Sequence, residues 1–373
     1  MKFTVKREDF LSVCTLVFKA ASAKSPSPAL QGIKFSFKDG QMELQATDLD
    51  IAIRAKFTPS EVDGAEDFVL VPDIFLGVLR EVKSKEVTFA CEGPDLVLEA
   101  SSGVYKFRRI GVEDFPELPS FPETGARPLA AGPLRSVFDR TVFCAAREKG
   151  RYAINGLFVS FAKESAEFAA TDGRRLAVCT LKTKDTGATP LDAILPTRLV
   201  SIVEGEAARL SPDVEILFHS DGRSASFKVG DYCISGRLVE GEYPKYKNVI
   251  PANLDKMATI KRSDFVDMIK IAVLFVDNPT RGVATTFNAG RLNLLATHSE
   301  RGESNQSMDI EFGGEQTVLG FNPVFIQEYL KVVTAEKIVF KFTSNTRAAM
   351  LEIADDPFEY KYVVMPTVVP GGR

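Results

Sequence analysis

Apolar positions recur along this chain in two periods, and the order of the periods repeats three times. Phe10, Val13, Cys14, Val17 and Phe18 fall at i, i+3, i+4, i+7 and i+8. Leu134, Val137, Phe138, Thr141 and Val142 repeat that spacing, as do Phe265, Met268, Ile269, Ala272 and Val273. Side chains so spaced share one face of an α-helix, so each set predicts a helix with one apolar stripe. Ser263, just before Asp264-Phe265, reads as the N-cap of the third. Downstream the period drops to two. Ile33, Phe35 and Phe37 alternate with polar residues, Asp39-Gly40 interrupts, and Met42, Leu44 and Ala46 resume the alternation. That is a β-hairpin with one buried face and a turn that tolerates positive φ. The same pattern surrounds Asn288-Ala289-Gly290. A proline then opens a second amphipathic segment at Pro72, Pro196 and Pro323, as suits the first turn of a helix. Further alternating strands follow, among them Val87-Thr88-Phe89 and Lys337-Ile338-Val339-Phe340.

The three passages align residue by residue. Ala46-Thr47-Asp48, Ala170-Thr171-Asp172 and Ala296-Thr297-His298 stand 124 and 126 residues apart. Gly32-Ile33, Gly156-Leu157 and Gly282-Val283 each lie 14 residues earlier, and Phe37, Phe161 and Phe287 lie nine earlier. Repeats of this length signal a duplicated unit. The expected fold class is therefore α+β, in three homologous domains spanning 1–125, 126–252 and 253–373. In each, the Thr-Asp (or Thr-His) pair ends a strand, where a short polar side chain satisfies turn backbone groups.

Charge adds an asymmetry. The chain carries a net −4, but residues 1–24, 133–151 and 261–282, around the first helix of each repeat, hold 14 basic and 7 acidic side chains. The remaining residues hold 32 basic and 43 acidic. One equivalent element of every domain is thus basic in an otherwise acidic protein. If rotation relates the domains, these elements share one surface, and Lys24, Arg147, Lys149, Arg151 and Arg198 belong there. Such a surface meets phosphates without reading bases and binds with strong salt dependence. The alternative is that these cations only solvate the outer faces of amphipathic helices.

The sequence offers few tools for catalysis. Its two histidines, His219 and His298, are 79 residues apart. No Cys or His pair has metal-ligand spacing, and no phosphate-binding glycine loop or G-x-S-x-G elbow is present. Asp48 and Asp50 could attract a cation but read better as solvated turn carboxylates, and Cys14 and Cys144 lie on apolar stripes. The expectation is a protein that is not an enzyme, with no catalytic residues, no metal and no cofactor. Five scattered cysteines, the opening MKFTVKREDF and the lack of a long apolar run point to a reduced, cytoplasmic setting with no membrane contact.

Taken in order, MKFTV, ATDLDI at 46–51, NGL at 155–157, ATDGRRLAV at 170–178, GEYPKYKNVIP at 241–251 and YVVMP at 362–366 resemble the bacterial sliding clamp, the beta subunit of the replicative DNA polymerase III. The resemblance runs the length of the chain. It implies a head-to-tail homodimer whose six domains form a ring, helices lining the hole, that encircles duplex DNA without sequence preference and tethers the polymerase for processive DNA replication. It places Tyr152 with the DNA-facing cations above. It implies that the clamp loader, the polymerase and repair proteins insert short linear motifs into a pocket of Ile154, Thr171, Gly173, Arg174, Arg175, Leu176, Pro244, Val249, Val363, Val364, Met365 and Pro366, with Arg175 and backbone groups orienting the peptide. For the dimer contact it points to Tyr105 and Phe107 meeting Val273 and Leu274. Without the resemblance, Val363-Val364-Met365 is an ordinary buried strand, and the two pairs are core residues. A conventional protein touching DNA from one open face fits the repeats equally well. The sequence departs from the family at Arg174, Asn248 and Thr367, and in a tail that runs on from Val368 to Arg373.

Overall fold

The computed structural model describes residues 1–100, 103–148, 153–184, 189–276, 282–354, 356–367 and 369. Among the described residues six α-helices punctuate the strands: α1 Arg7–Phe18, α2 Pro72–Glu81, α3 Ala131–Thr141, α4 Thr197–Ala207, α5 Arg262–Leu274 and α6 Pro323–Val332. Each repeat runs strand, helix, several strands, helix, three strands. The leading strands Lys2–Lys6, Arg127–Ala130 and Lys256–Lys261 were not expected from apolar spacing, since each offers only two or three inward residues before the helix begins.

The helical stripes pack as their spacing requires. Phe10, Val13, Cys14 and Val17 are buried on α1, and Phe265, Met268, Ile269 and Ala272 on α5. Two expectations are corrected. Ser263 is not a cap: α5 begins at Arg262 after an extended Lys261, and the Ser263 hydroxyl donates to the Asp264 carboxylate at 2.7 Å. Pro196 does not open a helix but closes the strand Leu191–Pro196, whereas Pro72 and Pro323 do begin α2 and α6. The cap on α6 is Asn322, whose side chain accepts from the Val324 N–H.

The chain divides into two compact units, 1–132 with 201–238, and 133–200 with 239–373. The first holds a 13-stranded sheet in which Ile51–Phe57, from the first repeat, pairs antiparallel with Tyr232–Arg237, the last strand of the second. Its core is a phenylalanine cluster, with Phe10 in ring contact with Phe3, Phe35, Phe57, Phe75 and Phe89. Each fully buried ring contributes about 1.5–3 kcal/mol. The second unit holds an eight-stranded sheet in which Arg175–Lys182 pairs with Lys361–Val364, the last strand of the third repeat, and a four-stranded sheet from Val283–Asn288, Arg291–His298, Gly302–Asp309 and Thr317–Phe321. The repeated glycines have a packing cause. A Cβ on Gly32 would lie 2.8 Å from the Leu70 carbonyl oxygen, and one on Gly156 2.8 Å from that of Leu195, so only glycine lets the neighbouring strand approach.

Candidate functional site

The Thr-Asp motif is a specific turn. Thr171 Oγ1 donates to the Arg175 carbonyl (2.6 Å) and accepts from Gly173 N–H (3.0 Å), while Asp172 Oδ1 accepts from the N–H groups of Arg174 and Arg175. Gly173 sits at φ +84°. The turn at Thr47 repeats every bond: Thr47 Oγ1 to the Ile51 carbonyl and from Leu49 N–H, Asp48 Oδ1 from Asp50 and Ile51 N–H. A further copy, Ser220-Asp221-Gly222-Arg223-Ser224, makes the same set. It was missed because serine stands for threonine; searching for Ser/Thr-Asp-Gly-Arg would have found it. At His298, Nδ1 accepts from Glu300 N–H at 3.2 Å, so the histidine acts as the aspartates do.

Around the second turn the structure assembles a groove within one unit. Leu176 pairs with Val363 and Arg175 with Val364 across adjacent strands, and the Met365 N–H donates to the Arg174 carbonyl at 2.9 Å. Leu176 and Val363 belong to a buried cluster with Tyr243 and Tyr246, against which Ile154 packs. The tyrosines that flank Pro244 are tied down: Tyr243 Oη donates to the Ala169 carbonyl at 3.1 Å, and Tyr246 Oη to the Glu167 carboxylate. Against this cluster also pack Leu254 and Ala348, which line an open groove of about 350 Å³ together with Val249, Pro251 and Met365. Ala252, Asn253, Thr346 and Arg347 complete its wall. Val249 and Met365 are 45% and 40% exposed, so they present apolar surface that a ligand could cover. The residues at 251–254 and 346–348 were not foreseen. They lie in loops without periodicity, almost a hundred residues apart, and nothing local marks them.

Arg175 is committed internally. Its Nε donates to Asp172 (3.1 Å), Nη1 to Glu328 and Nη2 to the Phe143 carbonyl (2.9 Å), and its guanidinium lies over the Phe325 ring at 4.5 Å. The Arg175 side chain thus ties the turn to α6 and to the Val142–Cys144 helical turn. Arg174 is the exposed guanidinium at this turn. Beyond Pro366, Thr367 and Val369 are docked. Thr367 N–H donates to the Gly320 carbonyl at 2.9 Å, Val369 is buried, and a Cβ on Gly320 would overlap the Thr367 carbonyl oxygen.

The other expected residues are placed separately. Lys24 lies exposed in the turn after α1, Arg147 exposed after the Val142–Cys144 turn, and Arg198 exposed in the first turn of α4; Lys149, Arg151 and Tyr152 lie outside the described residues. In the strand Gly103–Ile110, Tyr105 is half-buried and Phe107 turns inward onto Phe75, at 5.3 Å between ring centres. On α5, Val273 is half-buried and Leu274 is 70% exposed. Among the described residues no cluster of three potential metal ligands occurs, and no helix is long and apolar enough to cross a membrane. Burial pushes up the thiols of all five free cysteines, that of Cys233 to about 11, so none is a ready nucleophile at neutral pH.

Comparison with known proteins agrees with this architecture. Three family models match in succession: DNA polymerase III beta subunit, N-terminal domain, over residues 1–119, its central domain over 129–245, and its C-terminal domain over 247–368. The beta sliding clamp of Synechococcus elongatus is 26% identical over 377 residues, covering 98% of this chain and 99% of its own, and that of Salmonella typhimurium is 24% identical over 372 residues with the same coverage. The crystal structure of the DNA polymerase III beta subunit from Thermotoga maritima superposes with a TM-score of 0.91 at 25% identity, over 99% of this chain and 100% of that one. That from Pseudomonas aeruginosa, at 22% identity, has the same fold with a TM-score of 0.92, over 99% and 100%. With three clamp domains matched in order over nearly its whole length, the chain belongs to the DNA polymerase III beta-subunit family: it is a DNA sliding clamp, a processivity factor of the replicative polymerase and not an enzyme.

Proposed function

We propose that two copies of this chain close head to tail into a six-domain ring around duplex DNA. The supporting observation is a pair of free strand edges. Ile51–Phe57 of the first repeat pairs with the last strand of the second, and Arg175–Lys182 of the second with the last strand of the third. The corresponding strand of the third repeat, Gly302–Asp309, ends its sheet with one edge unpaired among the described residues. The last strand of the first repeat, Gly103–Ile110, has a second neighbour only at Arg109 and Ile110. An exposed edge needs a cover. The pairing used twice inside the chain, used again between copies, supplies it at both ends, and a heterologous contact that closes gives a ring. Leu274 and the 63%-exposed Val104 are apolar surface that such a contact would remove from water, with Tyr105 and Val273 beside them and Phe107 backing the strand.

The three domains of the ring are 1–125, 126–252 and 253–373. Lys24, Arg147, Lys149, Arg151, Tyr152 and Arg198 face the duplex and meet phosphates only, so the DNA is held by enclosure and slides. The groove lined by Val249, Pro251, Leu254, Ala348 and Met365, backed by the buried Leu176 and Val363, takes short linear motifs of the clamp loader, the replicative polymerase and repair proteins, in the cytoplasm.

Light scattering should give twice 40.9 kDa. The deciding experiment loads the protein on nicked circular DNA with a clamp loader and ATP, removes free protein and linearises half the sample. Retention on circles with loss from linear molecules supports enclosure. Equal retention of both through a salt wash means that contact chemistry holds the protein on one open face, and the ring reading fails.

A further inference from the structure

The three repeats treat one surface differently. In each, the sheet built on the repeated hairpin turns one face inward, and the register matches the outward positions. Lys34, Phe158 and Ala284 correspond, as do Gln45, Ala169 and Leu295, and Glu43, Glu167 and Asn293. In the first two repeats the segment after the last strand covers this face. Tyr243 stacks on Phe158 at 4.9 Å between ring centres and its hydroxyl donates to the Ala169 carbonyl, while the Tyr246 hydroxyl donates to the Glu167 carboxylate. In the first repeat Phe115 and Leu118 are buried in a cluster with Val69, and the Lys34 ammonium lies 5.6 Å from the Phe115 ring centre. Phe115-Pro116-Glu117-Leu118 and Tyr243-Pro244-Lys245-Tyr246 share one pattern: two large apolar side chains three residues apart, with a proline after the first.

The third repeat begins the same path and does not complete it among the described residues. Thr367 N–H donates to the Gly320 carbonyl as Val239 N–H donates to that of Ile194, both at 2.9 Å, and Gly320 and Ile194 hold the same register position. Four residues beyond Val239 stands Tyr243; four beyond Thr367 stands Gly371. The face is left with Leu295 and Val318 each 37% exposed. It also carries no charge where the other copies do: Val318 holds the position of Asp192, Asn305 that of Arg54 and Ser307 that of Lys56. Asn293 Oδ1, at the position where Glu167 meets the Tyr246 hydroxyl, is buried without a hydrogen-bond partner among the described residues.

We propose that this face of the third repeat is a docking surface for an extended segment of a partner protein with the pattern apolar-Pro-x-apolar. It is separate from the groove, which Leu295, Val318 and Asn293 do not line. The two internal linkers show the chemistry that the sheet accepts. A large apolar side chain laid over Ala284 and Leu295 removes apolar surface from water. The proline restricts the free segment, so less freedom is lost on docking. The lack of charge keeps the desolvation cost low, as at the centre of an interface. Both internal covers are single extended segments and not folded surfaces, which favours a flexible partner segment over a second copy of this protein.

The test follows the methyl resonances of Leu295, Val318 and Met365 in the full chain while acetylated, amidated Glu-Tyr-Pro-Lys-Tyr-Lys is added. The Leu295 and Val318 methyls should shift and saturate while Met365 stays in place. A Glu-Ala-Pro-Lys-Ala-Lys probe should move neither. Leu295→Lys should weaken the tyrosine probe about fivefold, the scale of one interface side chain, at an unchanged thermal midpoint; Val318→Lys repeats the test if Leu295→Lys lowers that midpoint. Methyls that do not move, or that move equally with the alanine probe, overturn the proposal. So do shifts confined to Met365, which put the probe in the groove, and shifts that follow protein concentration alone, which mean that a second copy covers the face.

Discussion

Two junctions in this chain share a backbone and differ in what they can hold. In the first unit, Ile51 pairs with Gly236 and the Asp50 carbonyl accepts from Arg237 N–H at 2.9 Å. In the second, Arg175 pairs with Val364 and the Arg174 carbonyl accepts from Met365 N–H at 2.9 Å. The preceding turns share every side-chain-to-backbone hydrogen bond and a similar φ, +76° at Leu49 and +84° at Gly173. The register equates Ser235-Gly236-Arg237 with Val363-Val364-Met365. The first junction offers a hydroxyl, a bare backbone and an exposed cation; the second has two buried valines and ends on Met365, which is 40% exposed. The repeat therefore supplies the scaffold, and the side chains distinguish the copy proposed here as a docking site.

The largest expected break in this comparison is Arg175→Ala. Removing a buried guanidinium that Asp172 and Glu328 both face leaves two carboxylates without their partner, which should cost about 3 kcal/mol of stability. The matched change Ile51→Val should cost only about 1 kcal/mol, and urea unfolding compares them. Next comes Gly320→Ala, which would drive a methyl into the Thr367 carbonyl; about 2 kcal/mol of overpacking is enough to release the tail. Hydrogen exchange should show the Thr367 amide losing protection in this variant. The turns provide a reciprocal pair. Leu49 holds a left-handed conformation that costs an L-residue about 1 kcal/mol, so Leu49→Gly should stabilise and Gly173→Leu destabilise by about that amount in thermal unfolding. For binding, Met365→Ala should weaken an apolar peptide about fivefold, the equivalent of about 1 kcal/mol at an interface side chain. Arg237→Ala should leave it unchanged, and calorimetry should count one peptide per chain.

These contrasts also mark how far the sequence could be read. The stripe on α1 and the hairpin at Ile33–Thr47 were legible because a single period governs each, and one misplaced residue would turn the whole apolar set outward. The repeated Ala-Thr-Asp/His was visible, but its surroundings were not: Thr47 and Thr171 look alike in sequence, and only pairing with strands over 180 residues away gives them different neighbours. Family resemblance pointed to Leu176, Val363, Met365 and Arg175, but no local pattern tells that Glu328 and Phe143 hold the Arg175 side chain.

The smallest effect concerns the Ser220–Ser224 turn, compared with those at Thr47 and Thr171. Asp221 is slightly buried, which raises its pKa, but hydrogen bonds from the Ser224 and Arg223 N–H groups and the Ser224 hydroxyl outweigh that and hold the carboxyl below the usual aspartate range. A carboxyl with a lowered folded pKa adds stability above the unfolded value of about 4 and loses it as pH falls through the folded value. In Asp221→Asn that contribution is absent at every pH. Parent and variant should therefore differ at pH 7 and converge as pH falls below 4, when thermal midpoints are followed from pH 7 to pH 2. Midpoints that stay equally far apart down to pH 2 would mean that the turn depends on the shape of the side chain and not on its charge, and the three copies would then be held by geometry alone.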